Sequence, residues 1–274
     1  MFEECIQNIK GIAYYWATVG SDNKGITDTT AEGEEWLGGP FASVFGLQYY
    51  IDTLKDVQKP LDKNLLNKEL NTYKVFPNNI LEKVFFPFIS AEVKFNKNLS
   101  FTDIQKYRGY AMRYSHDPNV TLVLGAGNVS CIPLLDVIYH MVTRRSVVYL
   151  KLNPVNDYLL PVYEKIFENF ISKGYMVVTK GSLEESEYMV QHKGIDHIHL
   201  TGSDETYELI VYGKKLNNDE KKLKSLKKLN PVSFSSELGN VTPIIIHPGK
   251  WSTSELKFQA RKIVTAKLNN GGFN

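Results

Sequence analysis

Residues 120–128 read Val120-Thr121-Leu122-Val123-Leu124-Gly125-Ala126-Gly127-Asn128. The first five are typical of a short buried β-strand, and the glycines after them permit a tight turn and the close approach of a ligand. The stretch is not a full Gly-x-Gly-x-x-Gly motif, because Ser130 stands where the last glycine would be. By itself it therefore predicts a strand and a turn, and it indicates dinucleotide binding only weakly.

Strands and helices alternate along the chain after this turn. Further β-prone runs lie at 146–151, 175–179, 197–200 and 243–246. Stretches with helical spacing or composition lie at 132–143, 159–172, 184–192 and 204–212. The alternation predicts right-handed β-α-β crossovers, and hence an α/β, Rossmann-like parallel sheet with helices on both faces. In such sheets ligands bind beyond the carboxyl ends of the strands.

Composition sets broad limits on function. The chain has 274 residues, of which 43% are hydrophobic, and a formal net charge of +2, so no global field selects nucleic acid or an anionic membrane. Cys5 and Cys131 lie far apart, which makes a disulfide scaffold improbable and favours a reducing cytoplasm. No apolar run approaches the roughly 20 residues of a membrane helix. We expect a cytoplasmic protein with no nucleic-acid or membrane partner.

Residues 1–115 form the least regular part of the pattern, with helices predicted near 43–57 and 62–72. The apolar segment 84–89 contains Pro87 and is a poor central strand. We therefore expect an N-terminal helical or irregular lead-in at 1–115, an NAD(P)-binding Rossmann-like region at 116–250 and the truncated start of a catalytic domain at 251–274.

A lysine-rich segment interrupts the alternation at 214–230. It holds seven lysines, and its leucines fit a short amphipathic helix. A solvated surface insertion is the favoured interpretation, because charge runs are usually solvated. A basic contact site for nucleic acid or a partner is the alternative.

Two polar side chains follow the first two strands. The amide of Asn128 can donate to an anion, or the residue can serve as a helix N-cap. Lys151 ends the strand at 146–151, where its ammonium can reach a ribose hydroxyl or a phosphate. A plain surface lysine is the alternative for Lys151.

Two further motifs follow later strands. The sequence Thr201-Gly202-Ser203 leads from a strand into a helix, where backbone N–H groups and the positive helix end suit a phosphate, although the tripeptide is common. The sequence Ser236-Glu237-Leu238-Gly239-Asn240 precedes the predicted strand at 243–246. Glu237 can act there as a general base or be an ordinary turn residue.

The order and spacing of these motifs resemble the aldehyde dehydrogenase superfamily over residues 116–274. The resemblance implies that Asn128 serves an oxyanion hole and that Lys151 binds the adenosine ribose. It also implies that Gly202 and Ser203 contact the pyrophosphate, that Glu237 is the general base and that Leu238 contacts the cofactor.

The end of the sequence is similar to the family's Asn-x-Gly-x-x-Cys nucleophile loop. Asn270 and Gly272 match its first and third places, and the cysteine would follow Asn274. We therefore expect a fragment that lacks its nucleophile and is inactive by itself.

The family resemblance implies a reaction in which a cysteine thiolate attacks a small-molecule aldehyde and a hydride passes to NAD or NADP. The resulting thioester would be hydrolysed by water that Glu237 activates. The full-length protein is expected to be a homo-oligomer. Two alternatives remain, a CoA-acylating aldehyde dehydrogenase (an acyl-CoA reductase) and a catalytically silent nucleotide-binding module.

Departures from the family pattern indicate a divergent subgroup. Pro154 stands where the family often has a glutamate that binds the ribose, so the choice between NAD and NADP is open. Asn240 replaces the second glycine of Glu-Leu-Gly-Gly. Cys131 is interpreted as a small buried cysteine rather than a substitute nucleophile. Cys5 has no supporting context, and the histidines show no metal-binding spacing.

Overall fold

A parallel sheet of five strands forms the centre of the computed structural model, which describes residues 1–57, 59–96, 99–109, 117–222, 226–239 and 242–273. Its spatial order is β6-β5-β4-β7-β8. These strands are β4 (Val120–Leu124), β5 (Val147–Lys151), β6 (Met176–Thr179), β7 (His197–Gly202) and β8 (Ser233–Leu238). All four neighbouring pairs are parallel. The predicted α/β, Rossmann-like sheet is confirmed.

Eleven α-helices lie in the described residues. They are α1 (Phe2–Lys24), α2 (Glu32–Trp36), α3 (Ala42–Asp56), α4 (Ile80–Phe85), α5 (Phe101–Tyr107), α6 (Ile132–Thr143), α7 (Leu160–Ile166), α8 (Glu168–Ser172), α9 (Leu183–Gln191), α10 (Asp204–Tyr212) and α11 (Thr253–Leu268). A π-helix spans Leu37–Phe41, and 3₁₀ turns span Lys63–Leu65, Pro154–Leu159, Glu220–Lys222 and Asn269–Gly272. None of the helices in the described residues is long and apolar enough to cross a membrane.

Helices cover both faces of the sheet, because successive strand residues point to opposite sides. On one face Ile198 and Leu200 pack in a buried cluster with Val190 of α9, and Ile210 of α10 lies against it. On the other face the rings of His197 and His199 lie against that of His140 of α6 in tilted arrangements. The predicted two-sided coverage is therefore present around β7.

Helix α1 was not predicted, although its sequence carries the signal. Its buried residues Cys5, Ile9, Trp16 and Gly20 recur at helical spacing, and the helix ends at Gly25 in the left-handed conformation (φ 65°). α1 packs on α7, and the Asn8 side chain donates to the Lys165 carbonyl at 3.0 Å. Cys5, for which the sequence offered no context, is buried on this helix face.

The chain divides into two compact units, Met1–Ile51 with Ser115–Asn274, and Asp52–Tyr114. Met1–Ile51 belongs to the unit of the large sheet because α1 packs on α7. The segments predicted at 1–115, 116–250 and 251–274, with their proposed roles, stay predictions.

The smaller unit contains an antiparallel sheet with the order β1-β2-β3. Its strands are β1 (Leu66–Asn67), β2 (Thr72–Phe76) and β3 (Ala91–Lys94). The helix predicted at 62–72 is wrong: the segment forms a 3₁₀ turn and a hairpin, with Asn71 in the left-handed conformation (φ 54°). As predicted, the segment 84–89 does not form a strand. Its first two residues belong to α4, which ends at Phe85.

The fifth strand of the large sheet is not where the sequence predicted it. Residues 243–246 lie outside any strand and Ile245 is 87% exposed, whereas Ser233–Leu238 pairs with β7. The polar strand is accommodated because Ser233 and Ser235 hydroxyls hydrogen-bond His197 and His199. Glu237 consequently lies inside a strand rather than in a turn before one.

The helix predicted at 159–172 is interrupted at Phe167, which separates α7 from α8 and lies outside the helical region (φ −98°, ψ 15°). The described part of segment 214–230 contains a 3₁₀ turn and no α-helix, and residues 223–225 lie outside the described residues. Lys215 and Lys221 pair with acidic residues of α10. This local neutralisation of lysine charge favours the surface insertion over the basic contact site.

Candidate functional site

The strand order of the sheet reverses direction at β4. From β4 the chain moves to β5 and β6 on one side, and it returns to β7 and β8 on the other. This reversal is the topological switch point at which open α/β sheets bind ligands. Asn128, Lys151, Ser203 and Glu237 lie after or at the ends of four neighbouring strands, so the fold brings all four to one edge.

Two glycines shape the turn after β4. A Cβ atom at Gly127 would lie 2.9 Å from Cγ of Asn153, and one at Gly125 would lie 3.3 Å from Pro133. Asn153 holds its position by accepting a hydrogen bond from the Val155 amide at 3.1 Å. The glycine at position 127 is therefore needed for close packing of two loops at the sheet edge.

Several elements fix the end of this turn. Trp16 of α1 donates its indole N–H to Oγ of Ser130 at 3.1 Å, and the Tyr163 hydroxyl of α7 donates to the Ser130 carbonyl at 2.6 Å. The Cys131 amide donates to the Gly38 carbonyl at 2.9 Å. The turn is consequently held by the N-terminal segment as well as by the sheet.

Asn128 and Asn270, both singled out from the sequence, meet in the structure. The Nδ2 group of Asn270 donates to the Asn128 carbonyl at 2.7 Å, and Asn270 itself is buried. Asn128 is not a helix N-cap, because α6 begins at Ile132 with Cys131 in that position. The oxyanion role of Asn128 stays a prediction.

A buried ion pair supports this contact, and it was not predicted from the sequence. Lys24 pairs with Glu35, and the two side chains are 3% and 2% exposed. Lys24 also donates to Oδ1 of Asn270 at 2.6 Å. The pair thereby connects α1 and α2 to the loop that carries Asn270 and, through it, to Asn128. The charge pattern gave no signal for it, since either residue could equally be a surface charge.

Lys151 is the last residue of β5 and is buried, which contradicts its interpretation as a plain surface lysine. Burial lowers the pKa of its ammonium, although Asp157 and Glu185 oppose that shift. Its register neighbour Thr179 holds a buried hydroxyl without a hydrogen-bond partner in the described part of the chain. A polar ligand at this edge would satisfy that hydroxyl.

Gly202 and Ser203 lead from β7 into α10, as predicted. Ser203 is the N-cap, and its Oγ accepts the Thr206 amide at 3.1 Å. Its hydroxyl is therefore engaged in the cap, while the helix N-terminus lies at the ligand-binding edge of the sheet. A pyrophosphate contact at Gly202 and Ser203 stays a prediction.

Glu237 and Leu238 lie in β8, opposite Thr201 and Gly202 of β7. Glu237 is exposed, which leaves its carboxylate open to solvent. The Leu238 side chain packs against the core cluster that contains Leu200. The roles of both residues stay predictions, and Asn240 and Asn274 lie outside the described residues.

Neither cysteine is suited to nucleophilic catalysis. Burial raises the pKa of Cys131 to about 11 and that of Cys5 to about 12, so both stay protonated thiols at neutral pH. The interpretation of Cys131 as a small buried cysteine is confirmed. The described residues contain no group of three or more potential ligands that could hold a metal ion.

Three buried histidines lie on the opposite face of β7. The ring centroid of His140 is 5.2 Å from that of His197 and 4.7 Å from that of His199. Burial lowers the pKa of His140 to about 3 and that of His197 to about 4, with contributions from the neighbouring imidazoles and Arg144. Asp136 is the acidic neighbour, 3.5 Å from Nε2 of His199.

Acid should destabilise the fold through this cluster. Below pH 6.5 the unfolded chain protonates His140 and His197, whereas in the folded chain these two residues resist protonation until about pH 3–4. The free energy of unfolding should therefore fall as the pH drops from 6.5 towards 4 and be insensitive to these groups above 6.5. Urea unfolding between pH 4.5 and 7.5 checks this. His140→Phe should reduce the slope, and the exposed His192→Gln should not; equal slopes for both would contradict it.

No family model matches the sequence, and no curated protein matches it. Solved structures do match. The chain aligns with the substrate-bound AldH of Staphylococcus aureus over 99% of its length and 46% of that chain, with 14% identity and a TM-score of 0.56. It aligns with aldehyde dehydrogenase 21 of Physcomitrella patens over 99% of its length and 44% of that chain, with 13% identity and a TM-score of 0.53.

The chain has an aldehyde dehydrogenase-like fold. A third match, 3,6-anhydro-L-galactose dehydrogenase in complex with NAP, covers 99% of this chain and 44% of that one, with 12% identity and a TM-score of 0.52. The chain thus spans less than half the length of these structures. The resemblance inferred from the ordered motifs is confirmed at the level of the aldehyde dehydrogenase-like fold.

Proposed function

We propose that this chain is the NAD(P)-binding region of an aldehyde dehydrogenase that oxidises a small-molecule aldehyde. The observation that carries the proposal is the position of Lys151, a buried residue at the end of β5 next to the switch point, beside the buried Thr179 hydroxyl, which has no hydrogen-bond partner among the described residues. An ammonium and a hydroxyl at this edge favour a ligand rich in hydrogen-bond acceptors. Ribose hydroxyls and phosphates supply such acceptors.

The other edge residues fit the same ligand. The N-terminus of α10 after Ser203 suits a pyrophosphate, and glycines 125 and 127 keep the β4 turn close to the sheet. When bound, NAD or NADP supplies the hydride acceptor. Asn128 would donate its amide to the substrate oxygen, and Glu237 would accept a proton from water.

The chain itself is expected to bind dinucleotide without oxidising aldehyde, because neither Cys5 nor Cys131 can present a thiolate. Titration of the 274-residue chain with NADH, followed by nucleotide fluorescence, tests the proposal. Saturable binding is expected. If this chain oxidised an aldehyde measurably, the conclusion that neither of its two cysteines is the nucleophile would be overturned.

Replacing Lys151 should weaken this binding by about 10- to 100-fold, the effect of losing a charge-assisted hydrogen bond of about 1.5–3 kcal/mol. The variant is Lys151→Met, which keeps the aliphatic stem in its buried path. Lys165→Met, at an exposed lysine that pairs with Glu168, is the control and should bind as the original chain does. Equal affinity for the two variants would contradict the role of Lys151.

A further inference from the structure

Strand β8 carries Glu237 at an edge of the large sheet, where β7 is its neighbour in the strand order. Successive residues of a strand point to opposite faces, so alternate residues share a face. Three pairs of register neighbours therefore lie on one face of β7 and β8: His197 with Ser233, His199 with Ser235, and Thr201 with Glu237. Glu237 thus lies on the same face of β8 as these two serines.

Hydrogen bonds join the first two pairs. The His197 ring bonds to Oγ of Ser233 at 2.9 Å through Nδ1 and to Oγ of Ser235 at 2.8 Å through Nε2. Nδ1 of His199 bonds to the same Ser235 oxygen at 2.8 Å. The Ser235 side chain is therefore held by two imidazoles of the neighbouring strand, two residues before Glu237.

The third pair is connected to the same network. The Thr201 hydroxyl donates to Oδ2 of Asp136 on α6 at 2.9 Å, and its oxygen lies 3.3 Å from Nε2 of His199. The residue opposite Glu237 is thus fixed by α6 and by a histidine. The histidine face of β7 therefore supplies side-chain contacts along the whole segment of β8 that leads to Glu237.

His140 of α6 lies against these histidines, and both of its ring nitrogens are buried without a hydrogen-bond partner among the described residues. Burial lowers the pKa of His140 to about 3 and that of His197 to about 4. Both rings are therefore neutral at pH 7. A proton on either ring would place a positive charge among buried imidazoles.

The surroundings of the three imidazoles disfavour such a charge. The charged or titratable groups that the described residues place around them are Asp136, Tyr139 and Arg144 of α6, Tyr50 of α3 beside Asp136, and Glu237 of β8. Arg144 opposes protonation of His140 and His197 through its own positive charge. Asp136 lies 3.5 Å from Nε2 of His199, and Glu237 is exposed. A protonated ring would be better solvated if β8 moved away and admitted water.

We propose that His197 and His199 are positioning residues for Glu237: their bonds to the serines of β8 hold this edge strand on the sheet, and acid releases it while the central strands stay paired. The inference rests on the proposed function, because it takes Glu237 as the general base. β8 should be the first strand to leave, because it has one neighbouring strand and its apolar residues Phe234 and Leu238 are only partly buried.

Proton uptake drives the release. Once β8 leaves, water reaches His197 and His140, and a hydrated imidazole has a pKa of about 6.5. The released state therefore takes up protons below pH 6.5, whereas the sheet-bound state excludes them until about pH 3–4. Release should become more favourable as the pH falls from 6.5 towards 4, and it should not depend on these two groups above 6.5.

Hydrogen exchange of the 274-residue chain between pH 7.5 and 4.5, without dinucleotide, tests the inference. Dividing the exchange rate of β8 by that of β4 removes the common effect of pH on amide chemistry. This ratio should be nearly constant above pH 6.5 and rise at least about tenfold between pH 6.5 and 4.5. His140→Phe, which keeps an aromatic ring but removes one titrating imidazole, should reduce the rise.

Substitutions in β8 test the contacts themselves. Ser235→Ala removes the hydroxyl to which both histidines bond and should raise the ratio about three- to tenfold at pH 7.5. Ser235→Thr keeps a hydroxyl and should restore the original ratio. Ser236→Ala is the matched control, because Ser236 is exposed on the opposite face of the same strand, and it should leave the ratio unchanged. Slow exchange of β4 at pH 7.5 verifies that each variant is folded.

Three results would overturn the inference. They are a ratio that stays constant down to pH 4.5, an acid rise of the same size in His140→Phe and the original chain, and equal ratios for Ser235→Ala and Ser236→Ala at pH 7.5. These measurements contain no dinucleotide. They therefore distinguish a failure of this inference from a failure of the proposed function, which the NADH titration tests.

Discussion

Lys24→Met should lower the free energy of unfolding by about 3–5 kcal/mol, because it leaves the buried Glu35 carboxylate without its cation. Oε2 of Glu35 already has no hydrogen-bond partner among the described residues, so the remaining anion would be poorly satisfied. The substitution also removes the donor to Oδ1 of Asn270. Urea unfolding followed by tryptophan fluorescence measures the effect in the larger unit, which contains Trp16, Trp36 and Trp251.

Two comparisons isolate the cause of this loss. Lys165→Met breaks an exposed pair with Glu168 and should cost less than about 1 kcal/mol. The double variant Lys24→Met with Glu35→Met replaces the whole pair by apolar groups and should recover much of the stability. A loss for Lys24→Met no larger than that for Lys165→Met would show that the pair is not buried as described.

Trp16→Ala should cost about 3–5 kcal/mol, the range for deleting a fully buried aromatic side chain. Trp16 packs edge-on against Tyr163, with ring centroids 6.2 Å apart, and donates to Ser130 Oγ. The substitution therefore opens a cavity between α1 and α7 and removes one of the contacts that hold the Asn128 turn. Urea unfolding followed by circular dichroism avoids dependence on the deleted indole.

The adjacent Tyr15 is half-exposed on the same helix and provides the control. Tyr15→Ala should change stability by less than about 0.5 kcal/mol. Trp16→Phe, which keeps an aromatic ring but loses the N–H donor, should fall between the two alanine variants. Similar losses for Trp16→Ala and Tyr15→Ala would contradict the assigned packing of α1.

The central strands could be predicted because strands buried on both faces appear as continuous apolar runs. β4 and β5 are of this kind, whereas β7 alternates histidine with isoleucine and leucine. β8 could not be found in the same way, because its serines form no apolar run, and the hydrogen bonds that Ser233 and Ser235 make to His197 and His199 of the neighbouring strand are tertiary. The apolar residues 244–246, by contrast, carry the local signal of a strand without a partner strand in the described structure.

The residues of the candidate site also divide into those that the sequence identifies and those that it does not. Asn128 and Lys151 were identified because polar residues directly after parallel strands meet at one edge. Lys24 and Glu35 could not be identified from the sequence. Their burial depends on how α1 and α2 pack around the loop at Asn270, which lies more than 230 residues later in the sequence. The local sequence predicts which residues lie at the ends of strands. The contacts that hold these residues in place involve residues far apart in the sequence, so the local sequence does not predict them.

Hydrogen exchange of the 274-residue chain with and without NAD⁺ tests the central claim most directly, namely that the carboxyl edge of the parallel sheet binds the dinucleotide. Backbone amides in contact with a ligand exchange more slowly when it is bound. We predict slower exchange at 125–131, 151–157 and 201–206. Unchanged exchange in all three segments at saturating NAD⁺, or protection confined to the lysine-rich segment 214–230, would contradict the account.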